Sequence, residues 1–502
     1  MTGASIYLDY AAATPVDLRV AEAMNLCLRA PAAFGNPSAL QHAPGRAAHA
    51  QVERARAQVA ALINATAREL VWTSGASESN NLAIIGTALL RRSRGRHIVT
   101  GKTEHASVIG AMRHLEKAGF TVSYVAPDAT GVVTPQAVAA ALRDDTTLVS
   151  IMHVNNEIGV VQDIASIGAV CRERDVLLHV DAAQSAGRVP IDVVAQSIDL
   201  LSLSAQKLYG PKGVGVLYLN ESRARRVEPL MFGGGQERGL RPGTVPTHQV
   251  VGMGEAFSLA GSETMRDVAH CESLLERLWA GVRDVPGIIL NGEGAHRCCH
   301  ILCVSVPGVE GESLMHGLDQ RGLAVSSGAA CVSTGDEPSA VLRSIGRSDE
   351  LAKASVRFSV GRSSTAEQVD AAAAAFVEVA TGLLRLAAPP ADGRMAVGDE
   401  LVFSGSAGAR EHGAEVAFRV RIADGSIGRV EFRAYGCPHT LAACRWLTEH
   451  LSGLPVDTLR DLPPETLMTA VAAPAQKRGR MLVVQDALRN CFAAWDNTLV
   501  SQ

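Results

Sequence analysis

Two residues set the chemistry open to this chain. Lys207 lies in Ser204-Ala205-Gln206-Lys207-Leu208-Tyr209-Gly210-Pro211-Lys212-Gly213. Asp181 lies upstream, in His179-Val180-Asp181-Ala182-Ala183-Gln184. A lysine amine can form a Schiff base with an aldehyde, and a carboxylate can keep a pyridine nitrogen protonated so that the ring accepts electrons. In this order the pair points to pyridoxal phosphate and to amino-acid chemistry. Which bond is broken depends on other residues.

Ser74-Gly75-Ala76-Ser77 joins a strand-like run to a helical one. Small residues there let backbone N–H groups approach an anion, and the helix dipole adds attraction, so the turn suits a cofactor phosphate. Thr103-Glu104-His105 and Asn155-Asn156-Glu157-Ile158-Gly159 each follow a strand end. His105 is placed to stack on a cofactor ring and move protons, although an isolated histidine is more often structural. Asn pairs in buried loops usually cap backbone, but one here could bond cofactor or substrate. Cys331 opens a polar stretch containing Gly335 and Pro338, which predicts an exposed loop and a candidate nucleophile. The other nine cysteines read as packing residues. His296-Arg297-Cys298-Cys299-His300 has metal-ligand residue types, but it runs into the apolar strand Ile301-Leu302-Cys303-Val304. Adjacent cysteines do not readily face one ion, so the segment reads as structural.

The elements that must position these groups alternate. Helical spacing covers 46–62, 79–90 and 135–142, and strand-like runs cover 69–73, 97–100, 147–152, 176–181 and 200–204. Such alternation implies an α/β fold with a mostly parallel sheet covered by helices, with ligands outside the carboxyl ends of the strands. A second α/β unit follows, with helices at 271–282, 312–321 and 366–386 and strands near 301–306 and 355–360. Residues 387–393 read as a linker. A third unit opens with strands 416–422 and 427–434 joined at Asp424-Gly425, a hairpin signal. Helices near 438–451 and 480–493 follow.

Domains hold roughly 100–200 residues. At 502 residues the chain exceeds one core. A net charge of −4 offers no electrostatic case for direct nucleic-acid binding. No run approaches the ~20 apolar residues of a membrane helix, and the start shows no basic-then-apolar leader pattern. Ten scattered cysteines without regular spacing suit reduced thiols in a cytoplasmic protein.

Residues 1–385 resemble a cysteine desulfurase of the IscS/NifS type in the class-V aminotransferase family. Besides the segments above, Tyr7-Leu8-Asp9-Tyr10, Gly35-Asn36-Pro37, Arg238-Gly239-Leu240-Arg241-Pro242-Gly243-Thr244, Ser326-Ser327-Gly328 through Cys331, and Arg357-Phe358-Ser359 carry the resemblance. It implies the fold type I of pyridoxal-phosphate enzymes, with a large domain at about 16–261 and a small domain from 1–15 with 262–385. It implies that Lys207 holds the cofactor and takes the Cα proton of L-cysteine, and that Asp181 pairs with the pyridine nitrogen. It further implies that Gln184 and Asn156 lie at the phenolic oxygen and that His105 stacks on the ring. Gly75, Ala76, Ser204 and Gln206 lie at the cofactor, and Thr244 reaches the phosphate from the other subunit of a homodimer. Asn36, Asn156 and Arg357 bind substrate, the last through its carboxylate, and Cys331 takes the sulfur as a persulfide, leaving L-alanine. Gln206 and Gln236 stand where the family usually has histidine. Glutamine still donates a hydrogen bond but carries no charge, so a modest change in cofactor affinity or turnover is expected.

Residues 398–502, after a linker at 386–397, resemble a NifU/IscU-like iron–sulfur scaffold, a small α+β domain. Phe432-Arg433-Ala434-Tyr435-Gly436-Cys437 and Thr448-Glu449-His450-Leu451-Ser452-Gly453 carry this match. Of the cluster ligands only Cys437 stands. His412, Ala414 and Arg480 occupy the other positions, and an arginine adds charge but no ligand. Three readings follow: a degenerate docking or dimer module, a sulfur acceptor using Cys437, or a metal site through His412, Cys437, Cys444 or a partner's residues. An iron–sulfur contact could also run through Cys331. The acceptor of sulfur is either a separate protein or the chain's own C-terminal domain, serving iron–sulfur cluster assembly or thiolation of tRNA or a cofactor. The rival readings are another pyridoxal-phosphate lyase or aminotransferase of the same fold, and a non-catalytic assembly or regulatory protein.

Overall fold

The computed structural model describes residues 5–29, 33–224, 226–327, 337–387 and 401–500. Cys331 and the predicted linker lie outside the described residues, apart from the linker's first two positions. These end the helix Ala366–Ala387.

The largest sheet has seven strands in the order Leu70–Thr73, Gly215–Leu219, Leu200–Ser204, Leu177–Asp181, Thr146–Met152, His97–Gly101, Thr121–Val125. All are parallel except Gly215–Leu219, which runs antiparallel to both neighbours. Successive side chains of a strand point to opposite faces, and the sheet is buried on both. Val149, Leu178 and Leu201 enter one core with the helices Ala43–Leu62, Ile164–Glu173 and Thr247–Val282. Leu148, Leu177 and Leu200 enter the opposite core with Ala76–Arg91 and Ala106–Lys117. Strands covered on both faces read as continuous apolar runs, which is why they were legible in the sequence.

Thr247–Val282 is one continuous helix of 36 residues. The predicted helix at 271–282 is its last third, and the predicted domain boundary near 262 falls inside it. Its C-terminal half packs with Ala366–Ala387 around a second, antiparallel sheet ordered Ser326–Ser327, Ser355–Ser359, Ile301–Ser305, Ile289–Leu290. Ile6–Tyr7 pairs in parallel with Leu323–Ala324, and Asp9 bridges Ser359. The chain start therefore crosses back to the second unit and passes the carboxyl edge of the large sheet.

The third unit is a three-stranded antiparallel sheet, Leu401–Ala409, Ala414–Ala423 and Ser426–Tyr435, covered by Pro438–His450 and Arg478–Val500. Asp424 and Gly425, at φ 50° and 69°, make the hairpin turn that the sequence predicted. The first strand was not predicted, because Gly405 and Gly408 interrupt its alternation. Gly405 lies against the last helix so closely that a Cβ there would come within 2.2 Å of the Cys491 nitrogen. This unit rests on the second: Ser313 Oγ donates to the Gly436 carbonyl at 2.7 Å, and Lys477 pairs with Glu312 at 2.6 Å.

Candidate active site

A cavity of about 300 Å³ opens at the carboxyl ends of the central strands, where a parallel sheet places its ligands. Gly75, Ala76, His105, Asn156, Asp181, Gln184, Ser204, Gln206, Lys207 and Arg357 all line it. These candidates from the sequence thus converge from six separate chain segments. Asn36 and Thr244 do not line it; both are exposed on this chain. Cys331 falls outside the described residues.

Lys207 sits in the short turn that follows strand Leu200–Ser204. Its Nζ donates to the carbonyls of Ala11 at 2.8 Å and Ala12 at 2.5 Å. The N-terminal segment that crosses between the units thus supplies the acceptors that aim the amine. Gln184 Nε2 donates to the same Ala11 carbonyl at 2.8 Å.

Asp181 ends its strand and is buried. Its Oδ2 accepts from Asn80 Nδ2 at 2.7 Å and its Oδ1 from the Ala183 amide at 3.0 Å. The second Asn80 N–H goes to Ser107 Oγ at 2.9 Å, and Ser107 in turn lies 2.8 Å from His105 Nδ1. The Ser107 amide donates to that same nitrogen at 3.1 Å, so Nδ1 is an acceptor and the neutral ring carries its proton on Nε2. Asn80 and Ser107 were missed in the sequence. The available signal was a fully buried asparagine inside a helix, a poor helix former with no cap to make.

The phosphate-type cradle is the start of helix Ala76–Arg91. Gly75 has φ 153°, and a Cβ there would meet nothing within 4 Å. L side chains rarely adopt that conformation. Behind it Gly215 approaches so closely that its own Cβ would lie 2.6 Å from Gly75 Cα. Glu78 holds the turn by accepting from the Ser74 amide at 2.6 Å and pairing with Arg241 at 3.0 Å. The open helix N-terminus, the buried carboxylate and the aimed amine fit the phosphate, the pyridine nitrogen and the aldehyde of pyridoxal phosphate respectively.

Arg357 is almost wholly buried in strand Ser355–Ser359. It pairs with Asp9 at 2.8 Å and donates to the Asn156 carbonyl at 2.8 Å, while its buried Nε has no partner among the described residues. A spare, desolvated guanidinium donor beside the cavity is what a substrate carboxylate requires. Ser326 Oγ donates to the same Asp9 carboxylate at 2.8 Å, and Ser339 Oγ to Glu157, next to Asn156. The two chain segments that flank residues 328–336 are thus both pinned beside Arg357.

Burial pushes two carboxyls up. Glu104 is raised well above the usual range, and Glu157 is raised from 4.5 to about 7 against the opposing hydrogen bond from Ser339 and the charge of Arg357. Between those two values the folded protein holds a proton on Glu157 that the unfolded chain has released. This carboxyl therefore contributes stability that is full below pH 4.5 and is lost as pH rises through about 7. The effect is about 3 kcal/mol. Glu157→Gln is expected to remove that decline. Urea unfolding of both proteins across this range would refute the assignment if their pH slopes coincide.

In the third unit Cys437 is buried at the N-cap of Pro438–His450, with its Sγ 3.4 Å from Thr440 Oγ1. Cys444, predicted to share a helical face with it, is a core residue among Val416, Leu447 and Leu488. Burial raises its thiol pKa, since desolvation disfavours the thiolate. Cys437 is the N-cap residue of that helix, so it precedes the helix and does not lie on its face. Arg480 Nη1 donates to the His412 carbonyl, so the guanidinium lies beside the positions where scaffold ligands were expected.

The Aminotransferase class-V family model matches residues 6–372, and the NifU-like N terminal domain model matches 385–500. The cysteine desulfurase IscS of Vibrio cholerae is 53% identical over 384 residues, covering 76% of this chain and 94% of that protein. Among solved structures, a NifS-like protein superposes with a TM-score of 0.70 at 33% identity, covering 76% of this chain and all of that one. SspA in complex with cysteine superposes with a TM-score of 0.63 at 37% identity, covering 71% and 98%. With its lysine, aspartate and phosphate cradle assembled at one sheet edge, the chain belongs to the class-V aminotransferase family, as a pyridoxal-phosphate-dependent cysteine desulfurase carrying a NifU-like domain.

Proposed function

We propose that residues 1–385 take sulfur from L-cysteine in the cavity around Lys207 and pass it through Cys331 to an acceptor. The observation that carries this reading is the convergence of Lys207, Asp181, His105 and Arg357 on one cavity. The similar SspA structure contains cysteine. When bound, pyridoxal phosphate supplies the electron sink for bonds broken at and next to the substrate Cα. Lys207 and Asp181 would hold it, with Gly75, Ala76 and Ser204 at its phosphate and Gln184 and Asn156 at its ring oxygen.

The protein's own groups then have distinct tasks. Arg357 binds the substrate carboxylate through its spare Nε, while Asp9 keeps the guanidinium from turning away. Lys207 Nζ, aimed by the Ala11 and Ala12 carbonyls, takes the Cα proton and later returns a proton to carbon. His105 offers its Nε2–H toward the cavity. The Cys331 thiolate attacks the substrate sulfur: a new S–S bond forms, the Cβ–Sγ bond breaks, and its electron pair stays with the carbon skeleton. Protonation of that skeleton releases L-alanine and leaves a persulfide on Cys331. Ser326, just before this stretch, is pinned to Asp9. From Ser327 the chain to Cys331 can reach up to about 14 Å.

We further infer a cytoplasmic homodimer. No described helix is long and apolar enough to cross a membrane. Phe232 is 85% exposed beside the Gly233–Gly235 run that leads to Thr244. A surface covered by a second copy would expose such a side chain in the single chain. Such a copy would bring Thr244 to a neighbouring cavity.

Arg357→Lys is expected to raise KM for L-cysteine about 10–100-fold with a smaller change in kcat, since one fork-shaped hydrogen bond to a charged group is lost. A kcat loss with unchanged KM would remove Arg357 from substrate binding. For sulfur passage, the purified protein is to be incubated with L-cysteine without reductant and its peptides mapped by mass spectrometry. Persulfide is expected on Cys331, with L-alanine formed alongside. Its absence from Cys331 would overturn the proposal, and its appearance on Cys437 would identify the C-terminal domain as acceptor.

A further inference from the structure

Cys298, Cys299 and His300 are buried, and their donor atoms all lie within 4.8 Å of one another. Cys298 Sγ is 3.0 Å from His300 Nδ1. A third thiol, Cys271 on the long helix Thr247–Val282, lies near Cys299 but outside that cluster of three. The expectation that these side chains diverge holds for a strand. Residues 299 and 300 instead form a turn before strand Ile301–Ser305 begins, and the turn brings neighbouring side chains to one side.

The hydrogen bonds around His300 decide its tautomer. Gln184 Nε2 donates to the Ala11 carbonyl at 2.8 Å. A carbonyl can only accept, so the orientation of the Gln184 amide is set. Its Oε1 lies 3.2 Å from His300 Nε2, which must therefore carry the proton. In the neutral ring the lone pair then sits on Nδ1, which faces the sulfurs. Metal-ligating histidines have this arrangement, an outer N–H held by a carbonyl-type acceptor and an inner lone pair turned to the ion. Arg188 places its positive charge near Cys271, Cys298 and His300, where it would offset the charge of thiolate ligands. Its Nη2 donates to the Lys207 carbonyl at 2.6 Å, and its buried Nη1 has no partner among the described residues.

We propose that Cys298, Cys299 and His300, with Cys271 as fourth ligand, form a buried site for one zinc ion. Three thiolates and an imidazole are a closed structural zinc set, with bonds of about 2.3 Å to sulfur and about 2.0 Å to nitrogen and hence ligand separations of about 3.5–3.8 Å. The separations among Cys298, Cys299 and His300 lie close enough to that range for side-chain rotations to bring them onto one ion, and Cys271 has to turn in from beside the cluster. As fourth ligand Cys271 would tie the long helix to the second unit's sheet. Through His300 and Gln184 the ion would brace the wall of the cofactor cavity.

The test uses the full-length holoenzyme carrying Cys331→Ser and Cys437→Ser, so that neither thiol is counted. After chelation and desalting it is reloaded with zinc or with cobalt alone. About one ion per chain is expected, with the thiolate-to-cobalt charge-transfer band and tetrahedral ligand-field bands. Cys299→Ser and His300→Asn are each expected to weaken retention at least tenfold while circular dichroism stays native. Zinc X-ray absorption on the reloaded protein gives a second reading that needs no ligand variant, with mixed sulfur and nitrogen ligation expected. Less than about a tenth of an ion per folded chain, retention unchanged in Cys299→Ser, a shell without sulfur, or a disulfide among Cys271, Cys298 and Cys299 after anaerobic purification would each overturn the site.

Discussion

Lys207→Ala is expected to lower the rate of L-alanine formation from L-cysteine by about 10³–10⁴-fold, or about 4–5.5 kcal/mol in the barrier. In the proposed reading the amine holds the cofactor covalently and moves the Cα proton, and no neighbour among the described residues is placed to substitute. His105 commits its Nδ1 to Ser107, and Gln184 has no group that titrates. The variant should fold, because Lys207 lies at the cavity edge and its loss takes a donor from the Ala12 carbonyl. That costs about 1 kcal/mol. Ala11 keeps its bond from Gln184. Single-turnover alanine release is the measurement, with a small exogenous amine as rescue. A variant within tenfold of the parent would show that another group carries the proton.

Cys331→Ser is expected to abolish persulfide formation and to lower alanine release by at least about 10³-fold, because a neutral hydroxyl is a far weaker nucleophile than a thiolate. Cofactor binding should be unchanged, since Lys207, Asp181 and the Gly75 turn lie on other elements. This variant separates the desulfurase from a lyase or aminotransferase built on the same fold. Either of those would keep full turnover with L-cysteine, and such a result would remove Cys331 from the reaction. Its two flanking roots, Ser326 on Asp9 and Ser339 on Glu157, are untouched by the substitution. A loss of activity would therefore report chemistry and not a displaced loop.

The central strands were legible because burial on both faces writes continuous apolar runs, such as Leu148-Val149-Ser150-Ile151. The candidate site groups were legible because they follow those strands directly: Asp181 ends one, and His105, Asn156 and Lys207 lie just beyond others. Strand Leu401–Ala409 was hidden, since its glycines answer to the close approach of a helix that no local pattern announces. The continuity of Thr247–Val282 was hidden too, because its two halves serve different cores and present different apolar stripes.

Residue type and order along the chain were enough to point to the cofactor, a candidate lysine and the parallel sheet that displays it, because each depends on local sequence. Tertiary structure alone decided what restrains those groups. Ala11 and Ala12 aim Lys207 from 195 residues away or more, Asn80 links Asp181 to His105 through Ser107, and Asp9 steadies Arg357. It also decided that Cys298, Cys299 and His300 converge, where adjacency in sequence argued that they would not. Hydrogen bonds and ligand sets depend on distance in space, and chain folding sets that distance independently of separation in sequence.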